Sequence, residues 1–296
     1  MQCNAADGLF TKSSRNNMME EPLFMEGYLR LKEIMESMGS VLVAFSGGVD
    51  SALLARVAYD VLGDRSAAVT ATSPTYPAYE IEEAKSIAAA IGIRHILVES
   101  NELDIAEFAQ NDSRRCYHCK KELFDKLKEI AEEMGLSHIA CGTTTDDLSD
   151  YRPGIDAARE LGVRSPLVEA GLSKVMVREI SRMLRLTNWD KPSFACLSSR
   201  FPYGTEITED RLSQVGMCEA YLRQLGFKQF RVRYHGEVAR IEADVEGLGV
   251  FLADSVLRRE IARKFKELGF TYVTLDLEGY RTGSMNEVLK AGKGKF

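Results

Sequence analysis

The sequence predicts an α/β protein with a doubly wound parallel sheet, followed by a smaller C-terminal α/β domain. Short apolar strand patterns alternate with amphipathic helix patterns between residues 41 and 142. Helices of this length between strands imply parallel pairing through right-handed crossovers. After about residue 200 the pattern changes to an alternating hairpin with helices around it. Polar segments follow three of the strands, at the sheet edge where ligands bind in such folds.

The elements of the first predicted domain, residues 23–200, follow from apolar periodicity. Ile81, Ala84 and Ile87, for example, fall on one face of a predicted helix. The predicted strands are 41–45, 66–72, 94–99 and 137–142, and the predicted helices are 26–38, 50–62, 78–91 and 119–134. Residues 1–22 lack such a pattern and are predicted to form a flexible leader.

The second predicted domain comprises residues 201–296 and begins within the segment RFPYGT (200–205). Two alternating runs around His235 and Gly236 predict a β-hairpin. A helix is predicted at 208–225, another near 253–268, and a strand in TYVTLDL (271–277).

Composition narrows the class of protein. A chain of 296 residues with 45% hydrophobic residues can bury a sizeable core. Its apolar runs are too short to span a membrane and its N-terminus lacks a signal-peptide pattern, so a cytoplasmic protein is expected. The net charge of −6 argues against a nucleic-acid partner and favours a small-molecule ligand. Six cysteines are too few for a disulfide scaffold, so closely spaced ones are metal or redox candidates.

The loop SGGVDS follows the first strand and opens a helix. Adjacent glycines allow a tight turn and a close approach to a ligand, and the helix N-terminus offers unpaired N–H groups to an anion. Ser46 and Ser51 add hydroxyl donors, while Asp50 is either the helix N-cap or a ligand of Mg²⁺. Together with Gly47 and Gly48 they predict a phosphate site, the alternative being a turn without a ligand.

Cys116 and Cys119 form a C-x-x-C motif flanked by four basic residues within 114–121. Positive charges lower thiol pKa values and favour the metal-binding thiolate. Cys196 lies in a loop near the predicted domain junction. Zinc, iron–sulfur, redox and incidental structural roles all stay open from spacing alone. For His118 a solvated or hydrogen-bonded side chain is the simpler reading.

Several other polar residues suit a phosphate or a carboxylate. Arg231 and Arg233 alternate along a strand, so they face one side and can act as bidentate phosphate donors. Arg200 follows the Cys196 loop and can contact the same kind of group. Glu219 and Glu242 are candidates for metal binding, for shaping the pocket, or for ion pairs with these arginines.

Five segments in both domains together resemble the LarE family of ATP-dependent sulfur transferases, which are PP-loop ATP pyrophosphatases. They are SGGVDS (46–51), DYRPGIDAARE (150–160), LTNWDKPSFACLSSRFPYGT (186–205), RVRYHGEVARIE (231–242) and YVTLDLEGYRTGSMNE (272–287). The resemblance implies a sheet of the adenine nucleotide alpha hydrolase type, with ATP and Mg²⁺ as cofactors. It assigns the leaving pyrophosphate to the first of these segments, with Asp50 as a catalytic residue.

The resemblance also implies a reaction in nickel-pincer nucleotide biosynthesis. Such enzymes adenylylate the carboxylates of pyridinium-3,5-biscarboxylic acid mononucleotide, release pyrophosphate and form thiocarboxylates. One branch gives up the sulfur of its own cysteine, a position that aligns with Ala195 here. Another holds a [4Fe–4S] cluster on a C-x-x-C pair and one further cysteine, which Cys116, Cys119 and Cys196 match. These three would then be catalytic residues as well as metal ligands.

By similarity, the C-terminal domain, residues 201–296, would bind substrate and support a homo-oligomer. Arg231 and Arg233 would bind the substrate phosphate, from a neighbouring subunit of a homo-oligomer. Arg152 and Lys120 would contribute, and Arg200 would contact phosphate or carboxylate. The donor of the sulfide is left unassigned.

Three other functions are consistent with a PP-loop fold. A tRNA thiolase would use similar cysteines, although the negative net charge argues against it. An amide-forming ligase of the NAD or GMP synthetase kind would not need the cysteines. A nucleotide sensor would bind ATP and leave its α–β phosphate bond intact.

Overall fold

A computed structural model describes residues 14–149 and 153–290 as two sheets with helices packed on them. The strands are β1 (Val41–Ala44), β2 (Ser66–Thr72), β3 (Arg94–Glu99), β4 (Ile139–Cys141), β5 (Phe230–His235), β6 (Val238–Ala243) and β7 (Tyr272–Leu275). The helices are α1 (Ser14–Met38), α2 (Val49–Leu62), α3 (Ala78–Ile91), α4 (Ala106–Ala109), α5 (Arg115–Glu133), α6 (Pro153–Glu160), α7 (Pro166–Glu169), α8 (Lys174–Met183), α9 (Glu209–Gln224), α10 (Val245–Ala253), α11 (Ser255–Glu267) and α12 (Glu287–Lys290).

The first sheet has the strand order β3-β2-β1-β4, and all its pairs are parallel. This confirms the predicted doubly wound parallel sheet. Strand order reverses at β1, which lies between β2 and β4, so the loop after β1 sits at the topological switch point where such sheets bind ligands. Leu53, Leu54 and Val57 of α2 are fully buried in the core on one face of the sheet.

The second sheet has the order β5-β6-β7 and confirms the smaller C-terminal α/β unit. β5 and β6 form the predicted antiparallel hairpin, with Gly236 in its turn at φ +65°. β7 adds in parallel to β6. Phe108 and Leu197 pack in the core of this unit although both precede the predicted boundary at residue 200. The domain boundaries themselves stay predictions.

Several elements begin or end elsewhere than predicted. α1 begins at Ser14 rather than 26, and residues 1–13 of the predicted leader lie outside the described residues. α5 begins at Arg115 rather than 119, which places the C-x-x-C motif in the first turns of a helix. The helix predicted near 253–268 corresponds to α11, and an unpredicted helix, α10, precedes it. Asp254 separates the two, because its carboxylate caps α11 by accepting hydrogen bonds from the amides of Val256 and Leu257. None of the helices in the described ranges is long and apolar enough to cross a membrane.

Candidate active site

The phosphate-loop residues form a tight turn between β1 and α2. Gly47 has φ +69°, a conformation that side chains other than glycine rarely adopt. A Cβ atom at Gly47 would also lie 3.0 Å from the Cα of Ala84 on α3. Gly48 is the N-cap of α2, and its carbonyl accepts the first helical hydrogen bond from the Ala52 amide at 2.9 Å. The backbone amides before Ala52, in the first turn of α2, have no acceptor within the helix and are therefore available to an anion.

The two serines of the loop stabilise this turn from inside. The Ser51 hydroxyl accepts a hydrogen bond from the Ser46 amide at 3.2 Å and lies 3.1 Å from the Ser46 hydroxyl. It also donates to the Gly48 carbonyl at 3.1 Å. Because Gly48 caps the helix without a side chain, the N-cap alternative for Asp50 is wrong. Asp50 lies in the first turn of α2, where the magnesium alternative stays a prediction.

Gly142, just after β4, lies directly behind these amides. A Cβ atom there would be 2.9 Å from the Ser51 nitrogen and 3.1 Å from the Asp50 carbonyl carbon. Any side chain at this position would therefore displace the first turn of α2. The close approach brings the segment after β4 against the phosphate loop, as expected where the carboxyl ends of neighbouring strands meet.

Asn188 is a site residue that the sequence reasoning did not single out. Its Nδ2 donates a 3.0 Å hydrogen bond to the Gly47 carbonyl, and the residue is only 4% exposed. Its Oδ1 is buried and has no hydrogen-bond partner within the described part of the chain. The asparagine belongs to the LTNWDKPS segment, but no local pattern indicates a partner 141 positions away in sequence.

The segment 188–200 runs from this contact to the second sheet and is held at several points. The Lys191 ammonium pairs with Glu80 at 2.7 Å and with Glu83 at 3.0 Å, both on α3. The Leu197 amide donates to the Thr75 carbonyl at 2.9 Å. A single ordered segment therefore connects the phosphate loop to Cys196.

Arg200 is completely buried and clamps the end of this segment. Its Nε and Nη2 each donate a 2.8 Å hydrogen bond to the Glu219 carboxylate, in a bidentate pair. Its Nη1 donates to the Ala195 and Cys196 carbonyls and to the Ser199 hydroxyl. All three nitrogens are thus engaged by the protein. The predicted substrate contact of Arg200 stays a prediction that this arrangement does not favour.

Arg231 also holds the segment, because its Nη2 donates to the Ser193 carbonyl at 2.7 Å. Its Nη1 donates to the carbonyl of Phe230, and its guanidinium lies 5.0 Å from the centre of the Tyr280 ring. Burial, with repulsion from Arg200, lowers the pKa of Arg231 to about 10.

Arg233 faces the same side as Arg231, as the strand pattern predicted. It donates to the Ser199 carbonyl at 2.9 Å, to Glu242 at 2.6 Å and to the Ser284 hydroxyl at 3.0 Å. Its Nε is buried without a hydrogen-bond partner among the residues described. Glu219 and Glu242 act here as ion-pair partners. Glu242 also pairs with Arg240 at 3.1 Å, so both glutamates are engaged by arginines.

The three cysteines of the predicted metal site interact with one another. A negative charge on Cys196 raises the pKa of both Cys116 and Cys119, so the three sulfur atoms lie within electrostatic range. Cys116 is exposed, and Cys119 and Cys196 are half-buried. Within residues 14–149 and 153–290, no three His, Cys, Asp or Glu side chains already stand in metal-ligating geometry.

The flanking basic residues Arg115 and Lys120 lower the thiol pKa values as expected, but burial outweighs them and both pKa values are raised. Crowding by protein atoms raises the pKa of Cys116, although the residue keeps solvent contact, and Arg115 only partly opposes this effect. Burial and the Glu102 carboxylate raise the pKa of Cys119 well above its ordinary value. Both thiols are therefore neutral until a bound metal replaces their protons.

Two further groups border the cysteines and were missed from the sequence. Glu102 is 1% exposed, and the Cys119 Sγ donates to its Oε1 at 3.7 Å. Burial, followed by charge interactions with Cys119, Cys196, Glu102 and Cys116, raises the pKa of Tyr76 well above its ordinary value. The phenol therefore lies among the same groups and stays protonated.

Comparison with known proteins places the chain in a family. Residues 23–129 match the NAD synthase family model. An uncharacterised protein of Synechocystis sp. is 49% identical over 259 residues, covering 88% of this chain and 96% of that protein. Pyridinium-3,5-bisthiocarboxylic acid mononucleotide synthase of Lactiplantibacillus plantarum is 41% identical over 259 residues, covering 86% of this chain and 92% of that enzyme. The chain belongs to the LarE family. An uncharacterised protein of Methanocaldococcus jannaschii is 27% identical over 263 residues, covering 88% and 99% of the two chains.

Two of the remaining predicted residues of this LarE-family protein, Lys120 and His118, lie on α5 with the C-x-x-C motif. Lys120 is half-buried on α5, with its ammonium 5.6 Å from the centre of the Phe124 ring. His118 lies 3.7 Å from an oxygen of the partly exposed Asp112, in agreement with a solvated or hydrogen-bonded histidine. Arg152, a predicted substrate contact, lies outside the described residues.

Proposed function

We propose that this protein inserts sulfur into pyridinium-3,5-biscarboxylic acid mononucleotide at the expense of ATP, a step of nickel-pincer nucleotide biosynthesis. ATP adenylylates a substrate carboxylate, pyrophosphate leaves, and sulfur replaces AMP to give a thiocarboxylate. The observation that carries this proposal is the segment 188–200, which connects the phosphate loop at Gly47 to Cys196. The name of the Lactiplantibacillus relative supports the substrate, and the PP-loop family supports ATP and Mg²⁺.

The phosphate loop would hold the pyrophosphate as it leaves. A carboxylate oxygen is a poor leaving group, and transfer of AMP to it makes a good one. The first-turn amides of α2 and the turn at Gly47 and Gly48 would stabilise the charge that develops on the departing phosphates. Asp50 would hold the Mg²⁺ that accompanies the polyphosphate.

The basic cluster on β5 would bind the phosphate of the mononucleotide. Arg231 and Arg233 lie on the same side of β5, and guanidinium groups donate charge-assisted hydrogen bonds to phosphate. Both arginines also support the Cys196 segment through carbonyl groups. Substrate binding and placement of the cysteine would therefore use the same side chains. Contributions from Lys120 and Arg152, and from a neighbouring subunit, belong to this proposal.

The cysteines would hold the sulfur-carrying group, which we propose is a [4Fe–4S] cluster. Thiolates of Cys116, Cys119 and Cys196 suit iron–sulfur ligation, and their mutual charge interactions are consistent with a shared site. When bound, such a cluster with three protein thiolates leaves one iron able to carry an additional sulfide. Binding of the cluster requires the three thiols to lose their protons and their side chains to turn toward a common point. The homo-oligomer and the cytoplasmic location stay predictions.

A pair of variants separates the two halves of this reaction. Asp50→Ala should abolish pyrophosphate release, whereas Cys116→Ser should retain it and stop thiocarboxylate formation. Cys218→Ala is the matched control, because Cys218 is a fully buried cysteine in the core of the C-terminal unit. The assay follows pyrophosphate and thiocarboxylate with reconstituted protein, sulfide, ATP and the mononucleotide.

The fate of the protein sulfur distinguishes catalytic from sacrificial transfer. We expect multiple turnovers with supplied sulfide and an unchanged intact-protein mass. A mass loss corresponding to H₂S at Cys196 would instead indicate a sacrificed cysteine. Full activity of Cys116→Ser would refute the cluster, and sulfur transfer to tRNA without activity on the mononucleotide would indicate a tRNA thiolase. ADP as the product, in place of AMP, would refute the pyrophosphate-loop role.

A further inference from the structure

Glu102 is a buried carboxylate that nothing in the reaction above uses. It opens the short 3₁₀ turn Glu102–Asp104 after β3, at the carboxyl edge of the first sheet. Its Oε2 is buried and has no hydrogen-bond partner among residues 14–149 and 153–290. Moving a carboxylate out of water costs several kcal/mol unless a cation or hydrogen bonds compensate for it. An unpartnered oxygen in this position therefore needs a function.

The carboxylate faces the cysteines. Its Oε1 accepts the Cys119 S–H at 3.7 Å, and its charge acts on both Cys119 and Tyr76. Tyr76 in turn interacts with all three cysteines. Oε2 belongs to the carboxylate whose other oxygen contacts Cys119.

The electrostatics of this group are unfavourable without a cation. A carboxylate beside a thiolate is repulsive, and here it helps to keep the Cys119 proton in place. A bound cation reverses the sign of the interaction, because the thiols can release their protons and the carboxylate gains an opposite charge. Thiolates with one carboxylate oxygen form a donor set that suits a thiophilic transition-metal ion.

We propose that Glu102 is a fourth protein donor to the metal held at Cys116, Cys119 and Cys196. This inference rests on the proposed cysteine site and adds to it a group from a separate loop. A carboxylate oxygen is a harder ligand than sulfide, so such a donor leaves its position open to exchange.

The test is a titration of metal-free protein with Co²⁺ under anaerobic conditions, which needs no catalytic activity. Thiolate-to-cobalt charge-transfer and ligand-field absorption report the number and geometry of the donors. Glu102→Gln keeps the shape of the side chain and an acceptor for Cys119 but removes the charge. We expect it to weaken Co²⁺ binding by more than the roughly 10–100-fold that loss of an outer-shell partner costs, and to change the ligand-field band. Asp104→Asn, at an exposed residue of the same turn, is the control and should bind like wild type.

The stability of the metal-free protein gives a second readout, in which we expect Glu102→Gln to cause no loss although it weakens metal binding. Replacing a buried carboxylate whose Oε2 has no hydrogen-bond partner among the described residues should leave Glu102→Gln at least as stable as wild type in thermal unfolding. Wild-type Co²⁺ affinity and spectrum in Glu102→Gln would overturn the inference while leaving the cysteine site intact. A less stable metal-free variant would overturn it as well, because it would reveal a structural partner of the carboxylate. Failure of the wild type to bind Co²⁺, or full binding by Cys119→Ser, would overturn the cysteine site itself.

Discussion

Replacement of Glu219 by glutamine tests whether Arg200 serves the fold or the substrate. Glu219 accepts two hydrogen bonds from Arg200 and one from the Val232 amide, and both side chains are buried. Glutamine keeps the shape but removes the charge, which leaves the Arg200 guanidinium buried without its anion. Breaking such a pair from one side costs about 3–5 kcal/mol. That cost is a large part of the 5–15 kcal/mol by which proteins of this kind are typically stable.

The assay is denaturant unfolding of Glu219→Gln beside Glu206→Gln. The second variant is the matched control, because Glu206 pairs with Arg211 at the surface, where it is 68% exposed. A surface pair contributes only about 0–1 kcal/mol. We therefore expect a clear fall in the unfolding midpoint for the first variant and almost none for the second. Equal midpoints would refute the structural role, and a selective loss of mononucleotide binding with normal stability would assign Arg200 to the substrate.

The Arg200–Glu219 ion pair also predicts how the stability of the protein changes in acid. Burial opposes ionisation of Glu219, but attraction by Arg200 and Arg231 outweighs it, and the pKa of Glu219 lies below its ordinary value. The pKa of a glutamate in the unfolded chain is about 4.3. Because the pKa of Glu219 is lower in the folded protein, its ionised form stabilises the fold fully above about pH 4.3, and this stabilisation is lost as the pH falls through the folded-state pKa. The stability difference between wild type and Glu219→Gln should shrink over that range. A difference that does not change with acid would contradict this assignment.

Three further predictions concern the site. Asn188→Ala should slow ATP-dependent pyrophosphate release about tenfold, because it leaves the Gly47 carbonyl unsatisfied at a cost of about 1–3 kcal/mol; an unchanged rate would contradict this role. Arg231→Ala should weaken binding of the mononucleotide far more than binding of ATP in calorimetry, and equal effects would remove the phosphate contact. Burial, then Glu102, raises the pKa of Cys119, so its alkylation in metal-free protein should be slower at pH 8 than that of an ordinary thiol and should rise at higher pH. Alkylation at the rate of a free cysteine would refute the burial of the thiol.

Local sequence patterns were sufficient for much of the fold. The predicted bounds of β2, β3 and α3 agree with the structure, because a strand or helix with one buried face repeats its apolar residues at a fixed interval. The turn at Gly47 and the hairpin at Gly236 were readable because each needs a backbone conformation that glycine adopts easily. The start of α5 was missed because Arg114, at its N-cap, makes no capping side-chain hydrogen bond.

Burial and pairing between distant segments were decided only by the tertiary structure. Basic neighbours in sequence suggested thiolates at the C-x-x-C motif, whereas protein atoms around Cys119 and the Glu102 carboxylate keep that thiol protonated. Arg200 was expected to contact a phosphate or a carboxylate of the substrate, whereas in the structure it is enclosed with Glu219. Asn188 and Glu102 had no local signal at all, since both look like ordinary polar residues. The sequence by itself determined which segments become strands, helices and turns, because those depend on residues a few positions apart. The charge and exposure of the site residues depend on what folding brings beside them.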